Sequence, residues 1–148
     1  MEIRPARPAD GPRIALLIRL LARFEKLPEP DDEAVGRLTR DAFESGRLEL
    51  WVADDGGEVM AYAACFTSYS TFRARPTLFL EDLFVHPSAR RRGIATAMLA
   101  RLRAEAEARG CGRFEWMVLD WNLEAQKLYA GIGARMLPEW RLVRIDLP

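Results

Sequence analysis

The residues in this chain best suited to chemistry fall between Leu78 and Leu102. Glu81 and Asp82 lie side by side in an apolar, aromatic-rich run, Leu78 to Val85, that reads as a buried strand. After a His-Pro-Ser turn, Arg90, Arg91, Arg92 and Gly93 stand where a helical pattern begins, at about Arg92. A helix start leaves its first backbone N–H groups without partners and carries partial positive charge, so it suits a phosphate. Gly93 removes the side chain that would hold a phosphate off the backbone, and Ala95 and Thr96 are small. An ordinary helix start with solvated arginines has the same composition, and the three arginines alone leave both readings open. Neighbours in a strand point to opposite faces, so at least one of Glu81 and Asp82 is expected on the interior side, where a carboxylate without function is uncommon.

The elements that must position these residues follow from periodicity and punctuation. Met1 to Pro5 reads as a short strand. A helix follows, with Ile14, Leu17, Leu21 and Phe24 on one face, ending near Glu25 to Pro28. A second helix is expected from about Asp31 to Ser45, closed by Gly46. The acids Glu29, Asp31 and Asp32 read as a solvated loop and helix-dipole charges, with Glu25 left as the candidate for a cationic ligand. Leu48 to Ala53 and Glu58 to Phe66 flank Asp54-Asp55-Gly56-Gly57, strong hairpin punctuation. Thr67 to Pro76 is expected as a loop carrying Arg73 and Arg75. The helix after the arginines puts Ile94, Met98, Leu102 and Ala106 on one face, and Gly110 and Gly112 end it. Phe114 to Leu119 reads as a strand, Asn122 to Gly131 as a short helix, and Arg135 to Asp146 as one or two closing strands. The order implies a single α/β domain over residues 1–148 with one largely central sheet.

Composition narrows the function classes. The 148 residues carry no net charge, with equal numbers of basic and acidic side chains, so nothing steers the whole protein toward nucleic acid or an anionic membrane. Any anion preference has to be local, as at Arg90 to Arg92. Cys65 and Cys111 are far apart and no Cys/His set has metal-ligand spacing. Both read as reduced, which fits a cytoplasmic protein with no metal. No stretch approaches a bilayer-spanning length. His86, before a proline at a strand end, reads as structural.

Arg90-x-x-Gly93-x-Ala95 matches the Arg/Gln-x-x-Gly-x-Gly/Ala signature of the GNAT superfamily of acyl-CoA-dependent N-acetyltransferases, in its expected place between strand and helix. Within that superfamily the chain is most similar to the diamine and polyamine (spermidine/spermine) acetyltransferases. Leu80-Glu81-Asp82-Leu83-Phe84-Val85 resembles their Leu-Glu-Asp-Phe-Phe-Val strand. Trp121-Asn122 with Tyr129 resembles their Trp-Asn-x6-Tyr helix, and Trp140-Arg141-Leu142 their closing Trp-Arg-Leu strand. The resemblance implies a central mixed sheet flanked by helices, acetyl-CoA as co-substrate, a small-molecule amine as acceptor and a homodimer. Residue by residue, it implies that Leu83, Phe84 and Val85 lie along the pantetheine arm and that the segment from Arg90 and Arg91 to Thr96 wraps the pyrophosphate. Asn122 would touch the pantetheine, and Tyr129 would lie beside the thioester sulfur. Phe24, Glu25, Glu81 and Glu139 would face the amine. On spacing alone Tyr129 reads first as a core aromatic with a bonded hydroxyl, and Asp120 or Asn122 as a cap of the following helix.

The chemistry implied by the resemblance follows from solution acidities. An alkylamine with a pKa of about 10.4 arrives protonated and must lose a proton before attacking, a task assigned to Glu81. The oxyanion that forms would be met by a backbone N–H of a bulged strand, that of Leu83. The thiolate leaving group would take its proton from Tyr129. Lys26, Arg73 and Arg75 make the expected pocket less purely acidic than one built for spermine, which widens the substrate class to lysine-like amino acids. A protein or peptide acetyltransferase and a non-catalytic acyl-CoA sensor are the competing readings. The sensor would have lost its acid and base, yet Glu81 and Tyr129 are both present.

Overall fold

A computed structural model describes residues 1–148. By internal contacts the chain divides into two compact units, residues 1–117 and 118–148.

The first unit is built on a sheet of five strands in the order β1-β2-β3-β4-β5: β1 (Glu2–Pro5), β2 (Glu49–Asp55), β3 (Glu58–Ser70), β4 (Arg75–Val85) and β5 (Arg113–Trp116). The first four pair antiparallel and β5 joins β4 in parallel. A parallel neighbour needs a crossover, which α3 (Ile94–Ala108) supplies. Helices α1 (Gly11–Phe24) and α2 (Asp32–Phe43) come between β1 and β2.

Strand alternation divides the core into two faces. Ile14 and Leu17 of α1 pack with Leu50, Val52, Val59, Tyr62, Ala64 and Phe84, and Leu38, Ala42 and Phe43 of α2 close the edge of this cluster. On the other face Met98, Leu99 and Leu102 of α3 are buried, and the Arg101 guanidinium lies 4.8 Å from the centre of the Trp51 ring.

The Asp54–Gly57 punctuation forms the expected hairpin, with Gly57 N–H donating to Asp54 Oδ1 at 2.7 Å. The loop expected over Thr67 to Pro76 is shorter. Strands β3 and β4 stay paired out to Ser70 opposite Arg75, because a backbone ladder continues past the apolar run that announces it. Asp31 caps α2 through the N–H of Ala34, while Glu29 and Asp32 pair with Arg23 and Arg19. These acids are thereby accounted for, as expected, and Glu25 is left without an arginine partner.

The second unit contains α4 (Leu123–Gly131), started by Asn122, whose Oδ1 accepts the N–H of Ala125 at 3.2 Å. The closing strands expected over Arg135 to Asp146 are not formed: residues 134–148 have no strand, and Trp140, Leu142, Val143 and Ile145 are exposed. Apolar residues near period two are a local pattern, whereas a strand exists only where a neighbouring backbone takes its hydrogen bonds.

Candidate active site

The site starts from an irregularity in β4. Ala63 pairs with Leu83 and Ala64 with Asp82, but Cys65 pairs with Leu80, so Glu81 is the extra residue of a β-bulge. Leu80 and Leu83 therefore face the α3 side with Cys65 and Ala63. Glu81 and Asp82 together fill the single place that faces α1, between Leu80 and Phe84. The expectation that these neighbours point to opposite faces is corrected here. A bulge inserts one residue and resets the alternation, so both carboxylates reach the same face.

Two groups join them there. Glu25, at the C-cap of α1, has its carboxyl raised first by burial and then by the charge of Glu81. Tyr62 of β3 is fully buried, and its hydroxyl donates to Asp82 Oδ2 at 3.1 Å. Burial pushes the Asp82 carboxyl up to about 6, with Glu81 and Glu25 adding repulsion and the Tyr62 hydrogen bond pulling the other way. The Tyr62 phenol is itself raised, by burial and then by Asp82, and stays a donor at any working pH. Such a cluster of carboxylates suits a cationic ligand and proton transfer near neutrality.

The adjoining edge of β4 is open. The parallel pairing with β5 covers only Thr77 to Leu80. His86 N–H donates to Met60 O at 2.8 Å, which makes that couple a hydrogen-bonded pair. In an antiparallel ladder such pairs alternate, so Phe84 opposite Tyr62 is bonded while Leu83 and Val85 turn their N–H and C=O groups away from β3. Past the end of β5 they meet no strand. Arg90 Nε at 3.4 Å from Val85 O shows that this carbonyl points outward.

The arginine segment is also sorted by its contacts. Arg90 lies over two rings, 5.6 Å from the centre of Phe24 and 5.5 Å from that of Phe84, tying the end of α1 to β4. Arg92 reaches back to Asp55 at 2.7 Å. Arg91 has positive φ, as does Gly93 at +76°, the N-cap of α3, and no side chain caps the first turn of that helix. A Cβ at Gly93 would meet nothing within 4 Å, so glycine is needed there for its backbone and the space above it is free.

Residues 16–134 match the model of the Acetyltransferase (GNAT) family. The chain belongs to this family.

Two curated relatives and one solved structure place this GNAT acetyltransferase further. It is 33% identical to a thialysine N-epsilon-acetyltransferase of Bos taurus, covering 97% of this chain and 91% of that one. It is 27% identical to the Homo sapiens spermidine/spermine N(1)-acetyltransferase-like protein 1, over 98% of this chain and 22% of the longer relative. A crystal structure of a probable acetyltransferase superposes with a TM-score of 0.87 at 20% identity, covering 100% of this chain and 99% of that one, which establishes the shared fold. Enzymes of the GNAT family use acetyl-CoA as co-substrate. The free α3 N-terminus, the space at Gly93 and the outward backbone of Leu83 and Val85 fit such a ligand.

Of the residues expected from the sequence, the first unit brings Glu25, Glu81, Phe24 and Phe84 around one another and sets Arg90 to Thr96 at the head of α3. Asn122, Tyr129 and Glu139 belong to the second unit. There Asn122 is the cap of α4, Tyr129 lies on that helix half-buried, and Glu139 is exposed in the strandless tail. Sequence reasoning passed over Tyr62. The one available signal was a tyrosine in an otherwise apolar strand, which an ordinary core also produces. A groove of about 380 Å³ bordered by Phe43, Leu48, Trp51, Arg101 and Arg109 lies away from this chemistry. Its cations are already paired, Arg109 with Glu49 and Arg101 with Glu105.

Proposed function

We propose that this acetyltransferase moves the acetyl group of acetyl-CoA to a primary amine of a small molecule, a di- or polyamine or a lysine-like amino acid, in a ternary complex. The observation that carries this reading is the bulge, which turns Glu81 and Asp82 to one face beside Glu25 and next to the open edge at Leu83. Carboxylates attract the ammonium form of the amine. Glu81 accepts its proton, and the freed lone pair attacks along the direction set by the site.

Bound acetyl-CoA supplies the activated acyl group. The segment from Arg90 to Thr96 and the head of α3 would hold its phosphates, and the outward Leu83 N–H would donate to the carbonyl oxygen as it gains negative charge. The resemblance in Trp121-Asn122-x6-Tyr129 supports Asn122 as a pantetheine contact and Tyr129 as proton donor to the departing sulfur. By the same resemblance Glu139 faces the amine and the enzyme is a cytoplasmic homodimer. No helix is long and apolar enough to cross a membrane. The names of the thialysine and spermidine/spermine relatives support a small amine over a protein substrate.

The test is release of free CoA thiol with acetyl-CoA and thialysine, lysine, spermidine, putrescine or a lysine-containing peptide, for wild type, Glu81→Gln and Tyr129→Phe. Turnover of a free small amine that falls by about 10²-fold or more in both variants is expected. Binding of acetyl-CoA without turnover on any amine, or a preference for the peptide, overturns the reading.

A further inference from the structure

The pair of buried Tyr62 and half-buried Asp82 lies outside the roles assigned above, although its geometry is that of working chemistry. Asp82 is held from the protein side, one carboxylate oxygen taking the Tyr62 hydroxyl at 3.1 Å. The other oxygen has no protein donor. No buried side-chain oxygen or nitrogen in this protein lacks a partner, so that second oxygen keeps contact with solvent. The ionisable groups around Asp82 are Tyr62 and Cys65 of β3, Glu25 at the end of α1 and Glu81 on its own strand. No arginine, lysine or histidine is paired with it. A carboxylate serving only the fold would gain more from a cationic partner than from two acidic neighbours.

We infer that Asp82, held in place by the Tyr62 hydroxyl, is the relay carboxylate that receives the substrate's proton from Glu81 and passes it to solvent. This rests on the amine acetyltransferase reading above. An N–H bond of the ammonium breaks with its electron pair left on nitrogen, and an O–H bond forms on Glu81. That proton moves to Asp82 and then to water, matching the one proton the reaction releases when a protonated amine becomes an amide and the thiol is formed. With its carboxyl pushed up to about 6, Asp82 holds a proton more readily than an ordinary aspartate yet is ionised and ready to accept one at neutral pH. Tyr62 is a positioning residue.

The experiment is the pH dependence of kcat/KM on the best small amine of the panel, from pH 5 to 9, for wild type, Asp82→Asn, Asp82→Glu, Tyr62→Phe and Glu25→Gln, with a thermal melt of each. Wild type should show an acidic limb near 6. Asp82→Asn should lose about 10²-fold in kcat/KM together with that limb, and Asp82→Glu should recover part of the rate. Tyr62→Phe removes the hydrogen bond that favours the ionised form, so its limb moves to higher pH. Glu25→Gln removes a like charge, so its limb moves to lower pH.

A purely structural pair would lower the melting temperature in Asp82→Asn and Tyr62→Phe while leaving the limb of the folded fraction in place, and that result overturns the relay. Full kcat/KM in Asp82→Asn does the same. If no amine in the panel is acetylated by wild type, the parent reading falls and the relay falls with it. If an amine is acetylated and only the Asp82 predictions fail, the parent reading stands alone.

Discussion

Leu80 and Leu83 of β4 face the same side of the sheet although three positions separate them, the first pairing with Cys65 and the second with Ala63. The odd separation is the bulge, and the shared face of Glu81 and Asp82 depends on it.

Deleting Glu81 should therefore restore a regular strand with Leu80, Asp82 and Leu83 in strict alternation. The core is expected to survive, since Leu80, Phe84 and their neighbours keep their faces. The deletion variant should melt cooperatively while kcat/KM falls by about 10²-fold or more. Circular dichroism with the thiol-release assay checks both. Retained activity would show that the bulge does not arm the site.

Arg90 is expected to matter through the rings it touches. Each guanidinium–ring interaction at an exposed site is worth about 0.5–1 kcal/mol. Arg90→Ala frees the end of α1, which carries Glu25 beside Phe24. The amine KM should rise about two- to fivefold for each ring left uncovered, and amide exchange at residues 24–27 should quicken. An unchanged KM with unchanged exchange would mean that Arg90 positions nothing.

Gly93 is constrained by its backbone and not by crowding. With φ at +76° and open space where a Cβ would stand, Gly93→Ala should cost about 1–2 kcal/mol. The same distortion should weaken acetyl-CoA binding about 5- to 30-fold by calorimetry. Gly93→Asn, which tolerates positive φ better, should lie between alanine and wild type.

Acid should loosen the first unit at Arg4. This largely buried arginine donates to Asp10 at 2.7 and 3.1 Å and to Asp54 at 2.7 Å. Its side-chain hydrogen bonds hold both carboxyls below their ordinary value. Groups depressed on folding contribute stability that is present above the unfolded pKa, about 3.9 for aspartate, and is lost as pH falls toward the folded value. The urea midpoint should thus drop below about pH 4 in wild type, and by less in Asp10→Asn, whose midpoint at pH 7 is already lowered. Equal acid sensitivity in the two proteins would rule this out.

Much of this could be read from residues in order. Amphipathic spacing gave α1 its buried Ile14 and Leu17, and Asp54 to Gly57 marked the hairpin. The Arg90-x-x-Gly93-x-Ala95 spacing put a free helix start after β4, where α3 begins. The acids after α1 were rightly set aside, because nearby arginines and a helix cap take them. The alternation near Trp140 misled, since it promised strands that residues 134–148 do not form.

By itself the sequence determined what local chemistry determines: which segments are periodic, where chains must turn, and which residue types stand at a helix head. Tertiary structure alone decided that Glu81 and Asp82 share a face, that Tyr62 holds Asp82, that Arg90 rests on Phe24 and Phe84, and that Arg92 is taken by Asp55. These relationships join residues of different elements. They depend on strand register, which side chains along one strand cannot specify, because one inserted residue changes every face that follows it.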